Sequence, residues 1–108
     1  MWPEWLDVGQ DAVFTCLSDR NVLILEWARS DFGGSLRDSE LIINLRTSSG
    51  TVINANSTRY VFDKDTIAYP LTVKTVTFDD GGVYWCIMTL DDSTYMSAVK
   101  ELRVRGES

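Results

Sequence analysis

An all-β sandwich or barrel is the fold class this sequence predicts, on three observations. Apolar residues recur with period two along most of the chain, and no segment carries a convincing helical period. About eight or nine such runs follow one another, each short and punctuated by Gly, Asn, Asp or Ser. The length of 108 residues, with 44% apolar and 24% charged, suits one globular domain.

Each run can be justified in turn. Ala12, Phe14 and Cys16 fall on one face of the first, with Val13 and Thr15 on the other. In the next, Leu23, Leu25 and Trp27 share a face, opposite Ile24, Glu26 and Ala28. Leu41 to Leu45 is a short apolar run, closed by the turn-rich Thr47-Ser48-Ser49-Gly50, and Val52-Ile53 makes a brief further strand. Arg59 to Phe62 is another, ended by Asp63-Lys64-Asp65. Ile67 to Val76 alternates, with Leu71, Val73 and Val76 inward. Pro70 cannot donate to a ladder, so it is expected at an edge or bulge, with Tyr69 before it extended. Val83 to Thr89 follows the turn Asp79-Asp80-Gly81-Gly82, and Ala98 to Val104 closes the set. The amino-terminal Trp2-Pro3-Glu4-Trp5 is expected to cover a sandwich edge as strand A, with Pro3 blocking edge pairing.

Composition excludes much chemistry. The chain has no histidine, hence no Ser-His or Cys-His pair, no imidazole base and no histidine metal ligand. Two cysteines alone cannot close a tetrahedral zinc site, and neither Asp63-Lys64-Asp65 nor Asp79-Asp80 has the ligand spacing of a calcium loop. Nothing marks one carboxylate pair among 16 acids for hydrolysis. No enzyme, metal or cofactor is expected. A formal charge of -6 argues against a nucleic-acid partner. No apolar run approaches the ~20 residues that span a bilayer, and the first residues lack the basic-then-apolar pattern expected of a signal peptide. Met1 before Trp2-Pro3-Glu4-Trp5 looks like a start added to a trimmed domain, so residues 1–108 are expected to be one domain excised from a larger protein.

One constellation is more specific. Cys16 and Cys86 stand 70 residues apart, Trp27 lies 11 residues after the first, and Asp80-Gly81-Gly82-Val83-Tyr84-Trp85-Cys86 reads D-x-G-x-Y-x-C. Taken singly, two unpaired buried thiols and a chance Tyr-x-Cys would account for these. Together with the strand count, they make the sequence resemble an immunoglobulin-superfamily domain over nearly its whole length. The resemblance implies a Cys16–Cys86 disulfide joining strands B and F, with Trp27 packed against it and Tyr84 in a tyrosine corner. It also implies that Arg59, opening strand D, pairs with Asp80, and Gly82 would permit the tight entry into strand F. A disulfide implies an oxidising, extracellular setting.

Room for strands C′ and C″ in Glu40 to Ile53 favours the V-set over constant types, hence a V-type Greek-key sandwich. The last strand, Met96 to Val104, lacks the Gly-x-Gly of rearranging antigen receptors. The pattern is more similar to the membrane-distal domain of a non-rearranging surface receptor, of the immune co-receptor, adhesion or invertebrate allorecognition kind, anchored in a membrane outside this segment.

Strand parity then points to a partner-binding face. With Tyr84, Cys86 and Met88 inward, Val83, Trp85, Ile87 and Thr89 face out on the sheet of strands G, F and C, joined there by Ile24, Glu26 and Ala28. Trp85 and Ile87 beside Ile24 would form an apolar patch of the kind that marks contact sites, unless long side chains or the C′ ribbon cover it. The expected partner is a protein on another cell, or an identical domain meeting this mixed face, where Glu26, Glu101 and Arg103 flank the patch. A second surface is the loop end, with Leu90, Asp91, Asp92 and Tyr95 as contacts, although a two-aspartate loop is more often simply a solvated turn. Asn56-Ser57-Thr58 is a glycosylation sequon expected to be exposed before strand D. A different class is a secreted carbohydrate- or microbe-binding effector, using Tyr95 with Trp2 or Trp5.

Overall fold

Alternating strands become two sheets in the computed structural model, which describes residues 4–18, 21–66, 68–91 and 93–106. The strands among them are β1 (Glu4–Asp7), β2 (Ala12–Phe14), β3 (Val22–Ser30), β4 (Glu40–Arg46), β5 (Thr51–Asn54), β6 (Tyr60–Phe62), β7 (Leu71–Val73), β8 (Gly82–Leu90) and β9 (Tyr95–Arg105). One sheet has six strands in the order β1-β9-β8-β3-β4-β5, the other three in the order β2-β7-β6. These are strands A′, G, F, C, C′ and C″ facing B, E and D, so the C′–C″ ribbon of the variable type is present. All pairings are antiparallel except β1 with β9.

The core lies between the sheets and is built from the inward parity of each strand. Ala12 and Phe14 of β2, Leu71 and Val73 of β7, Leu25 and Trp27 of β3, and Tyr84, Cys86 and Met88 of β8 are all buried. Phe14 stacks on Tyr84 with ring centroids 4.6 Å apart and lies 6.3 Å from Trp27. The Cys16–Cys86 disulfide crosses this layer with its Cα atoms 6.5 Å apart, and Trp27 stands opposite Cys86 in the β3–β8 ladder. The polar atoms of the two large core aromatics are satisfied: the Trp27 indole donates to the Tyr69 carbonyl at 3.1 Å, and the Tyr84 hydroxyl to the Asp80 carbonyl at 2.6 Å. Burial, reinforced by the Asp80 charge, raises the Tyr84 pKa, so the phenol stays neutral.

Two local expectations are corrected. Leu23 does not share a face with Leu25: Val22 pairs with Leu90 and Ile24 with Thr89, so Leu23 sits in an irregularity and is exposed while Val22 enters the core. Tyr69 is not extended but has φ +43°, held there by the hydrogen bond its N–H donates to the Thr66 carbonyl and by the Trp27 indole on its own carbonyl. The tertiary contact to Trp27 outweighs the local preference before Pro70. The expected edge strand A is present: Glu4–Asp7 pairs in parallel with β9 at the edge of the six-stranded sheet; Trp2 and Pro3 lie outside the described residues.

The base of the sandwich is locked by the turn before β8. The Arg59 guanidinium meets the Asp80 carboxylate at 2.6 Å, and that carboxylate also accepts the Thr77 amide at 2.7 Å. Gly82 follows with φ +146°, and a Cβ there would overlap the Ser30 carbonyl oxygen and crowd the Arg29 guanidinium. Only glycine lets strand β8 enter so close to β3.

Candidate interface on the six-stranded sheet

Register assigns the outer face of the six-stranded sheet row by row. Nearest the loop end run Tyr95, Thr89, Ile24, Arg46 and Thr51; below them Ser97, Ile87, Glu26, Asn44 and Ile53. A third row has Val99, Trp85, Ala28 and Leu41, a fourth Glu101, Val83 and Ser30, and Trp5 beside Arg103 completes the base. The six outward positions expected from parity, Ile24, Glu26, Ala28, Val83, Trp85 and Ile87, are therefore together on one face. Their accessibility differs, however. Ile24, Glu26, Trp85 and Ile87 are half-buried, whereas Ala28 and Val83 are buried at 4% and 9% exposure. They face outward but offer little surface to a partner, and the connection after β3 brings Leu36 beside Ala28.

That connection supplies residues the alternation does not reveal. Phe32 places its ring 4.7 Å from the Arg103 guanidinium, which also lies 5.8 Å from the Trp5 ring and 2.6 Å from Glu101. Arg103 is thus held between two exposed aromatic rings and a carboxylate. Leu36, in the 3-10 turn Leu36–Asp38, lines a shallow hollow of about 300 Å³ with Glu26, Ala28, Ser39, Leu41 and Ile87. Leu41 and Ile53 are exposed at 44% and 60%. Leu41 owes its outward place to an irregularity in β4, where Ala28 pairs with Leu41 and Trp27 with Ile43, so Ile42 has no partner and is buried. The signal for Phe32 and Leu36 is in the sequence: two large apolar residues around Gly33-Gly34-Ser35, a segment with no alternation.

Trp85 has a dual place. Its indole N–H is satisfied within the domain by the Ser30 hydroxyl at 3.0 Å, so what it offers outward is ring surface rather than a donor.

The loop-end expectations divide. Leu90 is not a loop contact: it is the last residue of β8 and is buried, following the inward parity of Cys86 and Met88. Asp91 is exposed, Tyr95 is 74% exposed at the start of β9, and Asp92 lies outside the described residues. Asn56 is exposed ahead of β6, its side-chain oxygen accepting the Thr58 hydroxyl at 2.6 Å.

No protein-family model matches the chain, and no curated protein matches it in sequence. Among solved structures, the extracellular portion of mouse CD200RLa is 14% identical with a TM-score of 0.77, over 97% of this chain and 57% of that one. Murine CEACAM1b is 18% identical with a TM-score of 0.75, over 96% of this chain and 51% of that one. The extracellular domain of the voltage-gated sodium channel beta4 subunit, solved as a parallel homodimer, is 16% identical with a TM-score of 0.75, over 99% and 92%. The chain thus spans little more than half of the first two. With nine strands in two sheets among the described residues, the B–F disulfide and the tyrosine corner, the chain has the fold of an immunoglobulin-like domain of the variable type.

Proposed function

We propose that this domain is the extracellular recognition module of a cell-surface receptor, and that it binds a protein partner through the outer face of the G-F-C-C′ sheet without catalysis. The observation that carries this is the continuity of the face. Leu41, Ile53, Leu36 and Phe32 are exposed around half-buried Ile24, Trp85 and Ile87, where a domain with no partner would place polar side chains. The disulfide fits an oxidising compartment. The likeness in fold to the extracellular portion of CD200RLa, and to a beta4 subunit domain described in a role in cell–cell adhesion, supports the same placement. In the native protein the membrane anchor lies outside this segment, and a glycan on Asn56 would leave the sheet face open.

A carbohydrate-binding role needs aromatics gathered at one site. Tyr95 and Trp5 lie at opposite ends of β9, eight register positions apart, which is about 26 Å of strand. The protein-binding function is therefore preferred.

The test compares multimerised domains carrying Ile87→Arg or, on the opposite sheet, Val61→Arg, for binding to a panel of cell-surface ectodomains that includes this domain itself. Binding lost with Ile87→Arg and kept with Val61→Arg is expected. The reverse result would move the binding surface to the three-stranded sheet.

A further inference from the structure

Near the middle of the outer face stand two opposite charges that the isolated domain leaves uncompensated. Glu26 is half-buried in the wall of the hollow formed with Ala28, Leu36, Leu41 and Ile87. Its carboxylate has no hydrogen bond or ion pair among the described residues. A carboxylate set among aliphatic side chains favours a cation whose stem is itself apolar, the description of an arginine or lysine side chain. Arg46 is exposed on the same face, opposite Ile24 and diagonal to Glu26, and it too lacks an ion pair among the described residues. The other two charges in these rows, Glu101 and Arg103, satisfy each other at 2.6 Å.

We infer that the occupant of this face is a second copy of the chain, docked face to face about a two-fold axis. The axis lies in the interface and crosses the line from Glu26 to Arg46 at right angles, at its midpoint. The inference rests on the sheet face being the binding surface and names its partner. A two-fold operation brings each copy's residue i onto the other's residue j and repeats the contact. Glu26 pairs with Asn44, two residues before Arg46 on β4, so the two charges lie on diagonal positions ~7–8 Å apart. Rotation about the axis exchanges the two positions. Each copy's Arg46 then stands at the mouth of the other's Glu26 hollow, and two ion pairs form. Ile24, Ile87, Ile53 and Leu41 surround the crossing point and supply the apolar area. Arg37, on the 3-10 turn, belongs to neither strand and takes no part in the pairs.

Sedimentation of the domain from micromolar to millimolar concentration tests it, using wild type, E26R, R46E, an equimolar mixture of these two, and R37E. Each single charge reversal sets like charges against each other in its own dimer and weakens self-association by at least about tenfold. In the mixture, an E26R copy facing an R46E copy presents two arginines to two glutamates. Both pairs are again opposite in sign, and the mixed dimer returns to within about threefold of wild type. R37E self-associates like wild type. Thermal melts of each variant confirm that it folds. A wild type that stays monomeric through the millimolar range, a mixture that does not recover, or loss of association in R37E would overturn the inference. If the wild type is monomeric and Ile87→Arg still abolishes binding to an ectodomain of the panel, only the identity of the partner falls and the face stands.

Discussion

On the six-stranded sheet the strands reach 11 residues, and the outward rows carry Trp85, Ile87, Ile24, Leu41 and Ile53. On the three-stranded sheet each strand has three residues, and the outward row is Val13, Thr72 and Val61. Both sheets send their inward residues into the same core, so core packing does not distinguish them. What differs is the outside. Two valines beside a threonine, with a glycosylation sequon just ahead of β6, make a surface that water tolerates. Large aliphatic and aromatic side chains around an unpaired carboxylate make one that a partner would stabilise. A sandwich can therefore use one sheet mainly as support and the other as a contact surface, with the disulfide coupling them.

The largest effect is expected from uncoupling the sheets. Replacing Cys16 and Cys86 together by alanine should cost about 2–5 kcal/mol, toward the upper end because the closed loop is long. Denaturant unfolding measures it, and a loss below that range would mean that packing alone couples the sheets. Gly82→Ala comes next. It combines a φ of +146° with overlap on the Ser30 carbonyl, and should cost about 3 kcal/mol or more, loosening the β3–β8 ladder specifically. Hydrogen exchange should show protection lost first in Arg29 and Ser30 rather than in β2, β6 or β7.

Tyr84→Phe removes the bond to the Asp80 carbonyl and should cost about 1–2 kcal/mol. It also has a pH signature. Burial raises the pKa of Tyr84 in the folded state, and that of Tyr60 in the same way, above the ordinary phenol value of about 10. Stability from a raised pKa is complete below the unfolded value and is lost as pH rises through the folded one. Wild type should therefore weaken from about pH 10 upward, and Tyr84→Phe should flatten that decline. Smallest in stability, and most telling for the comparison, are Ile87→Thr and Val61→Thr. Each should shift stability by no more than about 1 kcal/mol, yet only Ile87→Thr should reduce binding to the ectodomain panel.

Much of this is legible in the chain because it is short-range or carried by spacing. Period-two alternation places Phe14, Leu71, Val73, Tyr84 and Met88 inside without any knowledge of partners. It fails where the ladder slips. The irregularities at Leu23 and Ile42 break the phase between the residues on either side of them, and nothing in the residue types announces them. Tyr69 departs from its local preference for a related reason: its backbone answers to Trp27, 42 residues away. Leu90 reads as loop because composition does not fix where a strand ends.

By itself the sequence determined the fold class, the inward residues wherever the alternation runs unbroken, and the residues that join the sheets. Those depend on alternation, on two cysteines and on a motif seven residues long, all properties of the chain read locally. Only the tertiary structure decided which outward residues are open to a partner. Ala28 and Val83 have the same parity as Ile24 and Ile87, yet Ala28, with Leu36 of the following segment beside it, and Val83 end up buried while Ile24 and Ile87 stay half-open. Exposure is a sum over neighbours distant in sequence, and no pattern within one strand contains it.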